Sequence, residues 1–170
     1  MAHSTKKLGM MFTASGWLLG FLLLFALFYK VIDTQNNPNQ SVGSLQTGEY
    51  RQVTLERNRY GHYVFDGEIN RKKVTFLVDT GATTSAIPDE LTDLLGLKTG
   101  YKISVSTANG VADAYMTQLD QLAIGEIELS DVRATIVPGM DGKQVLLGMN
   151  VLKNMELIQR GDELIIRQYR

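Results

Sequence analysis

The chain has 170 residues and a net charge of −1, from 17 basic and 18 acidic side chains. This is the length of one globular domain with an appendage, and the charge gives no reason to expect nucleic acid as a partner. There is no cysteine and there are only two histidines, His3 and His62, so we expect no disulfide, no cysteine nucleophile, and neither a metal nor another cofactor.

The N-terminal part of the chain has the pattern of a membrane helix. Residues 1–30 carry three lysines and no acid, whereas residues 31–170 carry the other 14 bases and all 18 acids. Residues 9–29 are uncharged, and a helix of that length rises about 30 Å, enough to cross the hydrocarbon core. A cleaved signal peptide has a shorter apolar stretch and a small-x-small cleavage site, which this segment lacks, and a buried core helix this apolar all round is not expected at an N-terminus.

The flanking charges predict an orientation. Lys6 and Lys7 precede the apolar stretch, and Lys30 is soon followed by Asp33. The positive-inside rule then puts residues 1–8 in the cytoplasm and the rest of the chain outside it, which in a bacterium is the periplasm. We therefore predict a single-pass signal anchor in the bacterial inner membrane. A GxxxG pattern at Gly16 and Gly20 is a weak signal for pairing of two such helices.

Residues 30–50 are predicted to form a flexible linker. From Asp33 to Glu49 the sequence is rich in Asn, Gln, Ser and Gly and has few large apolar residues. Such a composition does not bury enough apolar surface to fold.

Residues 51–170 have the pattern of an all-β domain. Short stretches rich in β-branched and aromatic residues alternate with glycine-containing turns, which is typical of a β-barrel or sandwich. Two short helices are predicted, Pro88–Leu95 with a stop at Gly96 and Met149–Asn154. The predicted strands are Gln52–Glu56, His62–Ile69, Lys72–Val78, Ile103–Thr107, Ala114–Leu119, Gln121–Ile124, Val132–Val137 and Glu163–Arg167.

The most informative stretch is an apolar strand that runs directly into Asp79-Thr80-Gly81-Ala82. These residue types also form ordinary turns, and a bare Asp-Thr-Gly occurs by chance in many proteins. A carboxylate at the end of a buried strand, however, is costly unless it is hydrogen-bonded or paired. A second apolar strand, ending at Leu146-Leu147-Gly148 and entering a short helix, makes the combination far more specific than either motif alone.

Together with a hairpin tip at Ala108-Asn109-Gly110, these motifs resemble the retropepsin-like (retroviral-type) aspartic proteases, across about residues 51–167. With the N-terminal anchor, the chain is most similar to the membrane-anchored bacterial members. The resemblance implies a closed β-barrel of the acid protease fold, in which each subunit of a homodimer supplies one catalytic aspartate. It makes Asp79 the catalytic residue and Thr80, Gly81 and Ala82 its active-site loop.

The physical chemistry agrees with a dimer. Two carboxylates about 3 Å apart cannot both ionise, so one acts as a base on water while the other stays protonated. The sequence has one Asp-Thr-Gly, so a second copy of the chain, related by a two-fold axis, would have to complete the pair.

The resemblance also assigns the neighbouring motifs. Lys102–Met116 is predicted to be a β-hairpin turning at Asn109-Gly110, and it corresponds to the flap that closes over substrate with Ala108, Asn109 and Gly110. Leu146, Leu147 and Gly148 would support the catalytic loop from beneath. Retroviral enzymes usually continue with Arg-Asn or Arg-Asp, whereas Met149-Asn150 stands here, so their arginine ion pair is absent. The C-terminal strand that builds the retroviral dimer has Leu164–Arg170 as its candidate.

Two functions follow as hypotheses. The first is a membrane-anchored, homodimeric aspartic endopeptidase that cleaves periplasmic proteins or membrane proteins. The second is a non-catalytic module of the same fold, tethered to the membrane, that binds peptides or dimerises without assembling the aspartate pair.

Overall fold

The computed structural model describes residues 2–107 and 110–169, with the side chains of 15–106 and 110–169. The chain divides into two units, Met1–Gln35 and Asn36–Arg170. Each unit is described by itself below.

The first unit is one long helix, α1 (Ala2–Asn36). Its large apolar side chains from Trp17 to Tyr29 are exposed, Trp17 by 80%. A continuous apolar surface of this size is unfavourable in water. By length and composition, Ser15–Asn36 can cross a membrane. The predicted span, residues 9–29, lies within α1, and the helix continues beyond it to Asn36.

The second unit is mainly β-structure. Its short helices are a 3₁₀ turn at Asp89–Leu91, α2 (Thr92–Leu95) and α3 (Met149–Leu152). Its strands are β1 (Gly43–Gln46), β2 (Tyr50–Glu56), β3 (Val64–Ile69), β4 (Lys72–Val78), β5 (Ser85–Pro88), β6 (Lys102–Thr107), β7 (Gly110–Ile124), β8 (Ile127–Val137), β9 (Gln144–Leu147), β10 (Glu156–Arg160) and β11 (Glu163–Tyr169).

A seven-stranded sheet in the order β3-β4-β9-β5-β8-β7-β6 encloses the core. A short pairing of β3 with β7, through Ile69 and Leu122, closes six of these strands into an uneven barrel. The closure removes sheet edges that would otherwise be open to pairing with other chains. Large side chains that are fully buried fill the interior, among them Phe65, Phe76, Ile87, Leu119, Ile124, Ile127 and Leu147. The mainly β architecture and the closed barrel predicted from the sequence are observed, although the barrel closes unevenly.

A second sheet, in the order β1-β2-β11-β10, covers part of this core. Val53 and Leu55 of β2 and Leu164 and Ile166 of β11 are buried in the main apolar cluster. The C-terminal strand β11 therefore lies between two strands of its own chain, β2 and β10. The retroviral-type dimer strand predicted at Leu164–Arg170 is thus already paired within the subunit over its described residues, which end at Tyr169.

Three strands, β1, β5 and β10, were not predicted from the sequence, and most of the other differences lie at boundaries. The predicted strands Ala114–Leu119 and Gln121–Ile124 are parts of the single long strand β7. Pro88 was predicted to open a helix, but it ends β5, where it pairs with Val137. Its φ of −56° and ψ of 136° are extended, as in a strand, and the 3₁₀ turn begins only at the next residue. The predicted stop at Gly96 is correct, because Gly96 takes a left-handed conformation there, with φ of 65°.

The structure differs from the predicted flexible linker over residues 30–50. Residues 30–36 continue α1, and Gly43–Gln46 form β1 on the edge of the second sheet. Asn39 is only 4% exposed. Its amide donates to Glu56 O (2.9 Å) and Val64 O (2.7 Å), and its Oδ1 accepts from Glu56 N (2.7 Å). Polar side chains order this segment by hydrogen-bonding to backbone groups of the strands. The linker prediction considered only how much apolar surface the segment could bury, so it did not detect this order.

We predict that Asn39→Ala destabilises the second unit by about 2–4 kcal/mol, because one N–H and two carbonyls of the strands lose their partner. Urea unfolding of the full chain in detergent, followed by the circular dichroism of its β-sheets, measures the effect. Gln46→Ala, at an exposed position of β1, is the control and should change stability by less than about 0.5 kcal/mol. Equal unfolding midpoints for the two variants would contradict the assigned role of Asn39.

Candidate active site

Asp79 lies where two parallel strands end together. β4 and β9 pair in parallel, with Val78 opposite Leu147. Directly after β4, the Asp79 N–H donates to Leu147 O (3.1 Å), and the Val78 N–H donates to Tyr63 O (3.0 Å). Because the strands run in the same direction, their carboxyl ends share one edge of the sheet. The Asp-Thr-Gly motif and the Leu-Leu-Gly motif meet at this edge.

A tight turn holds the Asp79 carboxylate. The Gly81 N–H donates to Asp79 Oδ1 (2.8 Å), and the Ala82 N–H donates to Asp79 O (3.3 Å). Asp79 and Ala82 are half-buried, whereas Thr80 and Gly81 are exposed. The carboxylate is therefore oriented by a backbone donor and still accessible to water and to a ligand.

Gly148 brings the other motif into contact with this loop. A Cβ at residue 148 would lie 2.6 Å from Thr84 C, 2.7 Å from Ser85 N and 2.9 Å from Ala82 O. No side chain fits at those distances, so the backbones can pack this closely only with glycine. Leu147 is fully buried beneath the site, and Leu146 is half-buried. The structure thus brings Leu146, Leu147 and Gly148 together with the loop, as predicted from the sequence.

Hydrogen bonds join the start of α3 to the same loop. The Met149 N–H donates to Ala82 O (2.8 Å), and the Asn150 N–H donates to Thr83 O (3.0 Å). The Gly148 N–H donates to Ser85 Oγ (3.1 Å). The loop from Ala82 to Ser85 is therefore fixed by the backbone that follows β9.

The sequence reasoning missed the side-chain pair Ser85 and Asn150. Asn150 Oδ1 accepts from Ser85 N (2.8 Å) and Ser85 Oγ (3.1 Å), while its amide donates to Arg133 O (2.7 Å) on β8. Ser85 is fully buried, so its hydroxyl requires these partners. In the sequence, the signal for this pair was Asn150, which stands two residues after Gly148 at the beginning of a predicted helix.

The hairpin predicted as a flap is formed by β6 and β7. Lys102 Nζ and Asp113 Oδ2 lie 2.8 Å apart across it, and the hydrogen bond to Asp113 raises the pKa of Lys102. Val111, near the tip, is 79% exposed. An apolar side chain presented on a hairpin in this way is available for contact with a ligand or another chain.

One residue of the predicted Asn109-Gly110 turn, Gly110, lies in a strand. Thr107 pairs with Gly110, so Gly110 begins β7 instead of forming the second turn position, and its φ of 113° is one that glycine adopts readily. Ala108 and Asn109, the other two residues predicted to face the substrate, lie outside the described residues. Within the residues that the structure describes, no group of three or more Asp, Glu or His side chains could hold a metal ion.

We predict that Gly148→Ala destabilises the second unit by about 3 kcal/mol, since the new methyl group must displace the backbone of residues 82–85. The matched control is Gly43→Ala on β1, where a Cβ meets nothing within 4 Å. Urea unfolding of both variants tests this, and it would be contradicted if the two had the same midpoint.

Comparisons with known proteins agree with this geometry. The family model described as gag-polyprotein putative aspartyl protease matches residues 65–154, more than half of the chain. The crystal structure of a retropepsin-like aspartic protease from Rickettsia conorii superposes with a TM-score of 0.62 at 28% identity, covering 76% of this chain and 96% of that one.

Two further relatives are described only as uncharacterized proteins. One, encoded in the cobV 5′ region of a Sinorhizobium species, is 29% identical over 164 residues, which is 89% of this chain and 70% of the relative. The other, from Rickettsia prowazekii, is 29% identical over 125 residues, and the aligned part spans about half of that relative, 53%. The family match covers both motifs of the site and the structural match has the same fold. The chain therefore belongs to the gag-polyprotein putative aspartyl protease family and is a retropepsin-like aspartic protease.

Proposed function

We propose that the chain is a membrane-anchored aspartic endopeptidase, active as a homodimer, that hydrolyses peptide bonds in extracytoplasmic proteins. The observation that carries the proposal is the half-buried Asp79 carboxylate, oriented by the Gly81 N–H at the open end of two parallel strands. Residues 9–29 of α1 would anchor the chain in a bacterial inner membrane, with the second unit in the periplasm.

The reaction needs two carboxylates that share one proton. The ionised Asp79 of one subunit takes a proton from water, whose oxygen forms a bond to the carbon of the scissile carbonyl. The protonated Asp79 of the other subunit transfers its proton to the carbonyl oxygen as negative charge develops there, so that a gem-diol forms. The diol collapses when the first Asp79 passes its proton to the amide nitrogen and the second Asp79 takes back a proton from a diol hydroxyl, so that the C–N bond breaks, one acid and one amine leave, and the pair again shares one proton.

The residues around Asp79 suit this arrangement. Thr80 is exposed beside the carboxylate, and we assign it to hydrogen bonds with the loop of the partner subunit. The hairpin of β6 and β7 would close over the bound peptide as a flap. Gly148, Ser85 and Asn150 hold the loop in place without touching the reacting atoms.

We predict that Asp79→Asn lowers kcat by at least about 10³-fold, because the amide cannot take a proton from water. The matched control is Asp120→Asn, an exposed carboxyl group on β7, which should cleave like the unmodified chain. Cleavage of a peptide library by the full chain in detergent gives the readout. If Asp79→Asn cleaves as well as Asp120→Asn, the proposed mechanism is wrong.

One observation favours the second hypothesis, a non-catalytic module of the same fold. β11 is paired on both sides within its own subunit, so exchange of terminal strands, which builds the retroviral dimer, would require breaking the second sheet. A chain that never dimerises would bind peptides without cleaving them.

We predict that the dimer depends on the Thr80 hydroxyl. Thr80→Val should raise the dimer dissociation constant about 30-fold or more, since two symmetric hydrogen bonds are lost, whereas Thr80→Ser should have little effect. Sedimentation of the full chain in detergent, with and without a statine-type inhibitor, measures this. An unmodified chain that stays monomeric and indifferent to the inhibitor would support the non-catalytic module instead.

A further inference from the structure

β10 (Glu156–Arg160) is an edge strand of the second sheet. It pairs with β11 from Glu156 opposite Arg167 to Arg160 opposite Glu163, and it ends the strand order β1-β2-β11-β10. Among the described residues, no strand lies on its other side. Edge strands are commonly protected by proline, by a bulge or by inward-pointing charges. β10 has an unbroken register and no proline, so its outer edge can pair with another strand.

The turn after β10 determines which backbone groups face this edge. Gly161 and Asp162 link β10 to β11, and of these two only Gly161 has a positive φ, 58°, as in a type II′ turn. The residues that flank such a turn exchange backbone hydrogen bonds, and bonded and non-bonded pairs then alternate along the strands. Alternate residues starting at Arg160 therefore bond to β11. The N–H and C=O groups of Leu157 and Gln159 point to the free edge.

The side chains on one face of β10 are complementary to those of a second β10. Glu156, Ile158 and Arg160 share this face, whereas Leu157 packs against the core on the other. If two copies pair antiparallel about a two-fold axis at Ile158, each Glu156 stands opposite the partner's Arg160. Opposite charges directly across a strand pair are favourable, whereas an axis at Glu156 or at Arg160 would pair like charges.

The same axis also pairs the outward backbone groups. It brings Leu157 opposite the partner's Gln159, and these are the residues whose N–H and C=O groups face the free edge. Each such pair can exchange hydrogen bonds in both directions, and the pair of Ile158 side chains lies at a non-hydrogen-bonded position between them. An axis at Leu157 or at Gln159 would lose both Glu–Arg pairs. Backbone polarity and side-chain charge thus favour the same register.

The Glu156 carboxylate is already held in place on this face and keeps a free oxygen. Its Oε2 accepts from Arg167 Nη1 (3.3 Å) and from Tyr169 Oη (3.0 Å), whereas its Oε1 has no hydrogen-bond partner among the described residues. The side chain is 42% exposed. Arg160 is exposed and forms no ion pair with any described residue. A carboxylate that is already oriented loses less conformational entropy when it gains a partner.

Contacts at both ends of β10 connect it to the loop of Asp79. At its start, β10 follows α3, whose first N–H groups bond to the loop after Asp79. At its end, the Arg57 N–H donates to Asp162 O (2.8 Å), and Arg57 Nη2 donates to Tyr63 Oη (3.3 Å). Tyr63 O in turn accepts from the Val78 N–H, next to Asp79. A copy paired along β10 would therefore be attached to the framework that carries Asp79.

We propose, on the basis of the proposed function, that a second copy of this chain docks along β10 and thereby completes the active site. The second sheets of both copies join into one continuous sheet with the two-fold axis at Ile158, and this axis relates the two Asp79 carboxylates. β11 keeps its place between β2 and β10, so no terminal strand has to be exchanged. The internal pairing of β11 is then compatible with a dimer.

The first test uses a single introduced cysteine. The chain has none, so one thiol can form a disulfide only with a second copy. At a non-hydrogen-bonded position, side chains across the axis have Cβ atoms about 4.5–5.5 Å apart, near the distance in a disulfide. Ile158→Cys, in the full chain in detergent with a mild oxidant, should give the linked dimer at least about tenfold faster than Leu45→Cys. This control lies on β1, the other edge of the sheet, and Leu45 is 50% exposed.

A second variant tests the charge pairs. Arg160→Glu places a like charge opposite each Glu156, so we expect the dimer dissociation constant to rise about tenfold or more. Lys72→Glu makes the same change of charge at an exposed position of β4 and should alter the dissociation constant by less than about threefold. Sedimentation of the full chain in detergent measures both constants, and circular dichroism shows that the variants are folded.

The interface is overturned if Ile158→Cys cross-links no faster than Leu45→Cys, or if Arg160→Glu and Lys72→Glu have equal dissociation constants. Cleavage of a peptide library by the unmodified chain tests the proposed function separately. If peptides are cleaved while the variants show neither effect, the interface fails and the proposed function stands. If Ile158→Cys cross-links rapidly but the unmodified chain cleaves no peptide, the interface stands and the proposed function fails.

Discussion

The contact between Gly148 and the loop of Ala82 to Ser85 is the constraint on which the site depends. A Cβ at residue 148 would lie within 2.6–2.9 Å of three backbone atoms of that loop. The parallel pairing of β4 with β9 carries both motifs to one edge of the sheet, and the absent side chain lets their backbones meet there. The loop can then present a carboxylate, because the hydrogen bonds that fix it come from α3 and from Asn150.

Elsewhere in the second unit, asparagine side chains hold backbone segments together by hydrogen bonds. Asn39 satisfies one N–H and two carbonyls of β2 and β3 from a buried position. Asn150 joins Ser85 to Arg133 O in a similar way. A side-chain amide has both a donor and an acceptor, so it can bind a backbone carbonyl and a backbone N–H at the same time. Asparagine side chains thus help to fix both the first residues of the second unit and the loop of Ala82 to Ser85.

The sequence allowed the long apolar helix, β4, β9 and the Asp-Thr-Gly loop to be predicted, because each combines an apolar run with a specific stop. It did not reveal β5 and β10, nor the order of residues 36–39 and of β1. Asn-rich segments have no apolar periodicity, and their order comes from side-chain bonds to distant backbone. Gly110 was predicted to be a turn residue because Asn-Gly is a strong turn signal, whereas strand pairing assigns Gly110 to β7. Ser85 was visible only as one of several small polar residues, and its role required knowing that Asn150 lies beside it.

The second sheet bears on how two subunits would meet. Because β11 is held between β2 and β10, and Leu164 and Ile166 are buried there, strand exchange would expose core side chains before it formed any new pairing. In the proposed dimer the contacts would therefore come from exposed groups, which are the loop at Thr80, the flap near Val111 and the outer edges of β1 and β10. Contacts of this kind are weaker than an interlocked sheet. If both subunits of the proposed dimer were confined to one membrane, their effective concentration would be higher, so a weak contact would suffice there while the same domain stayed monomeric in free solution.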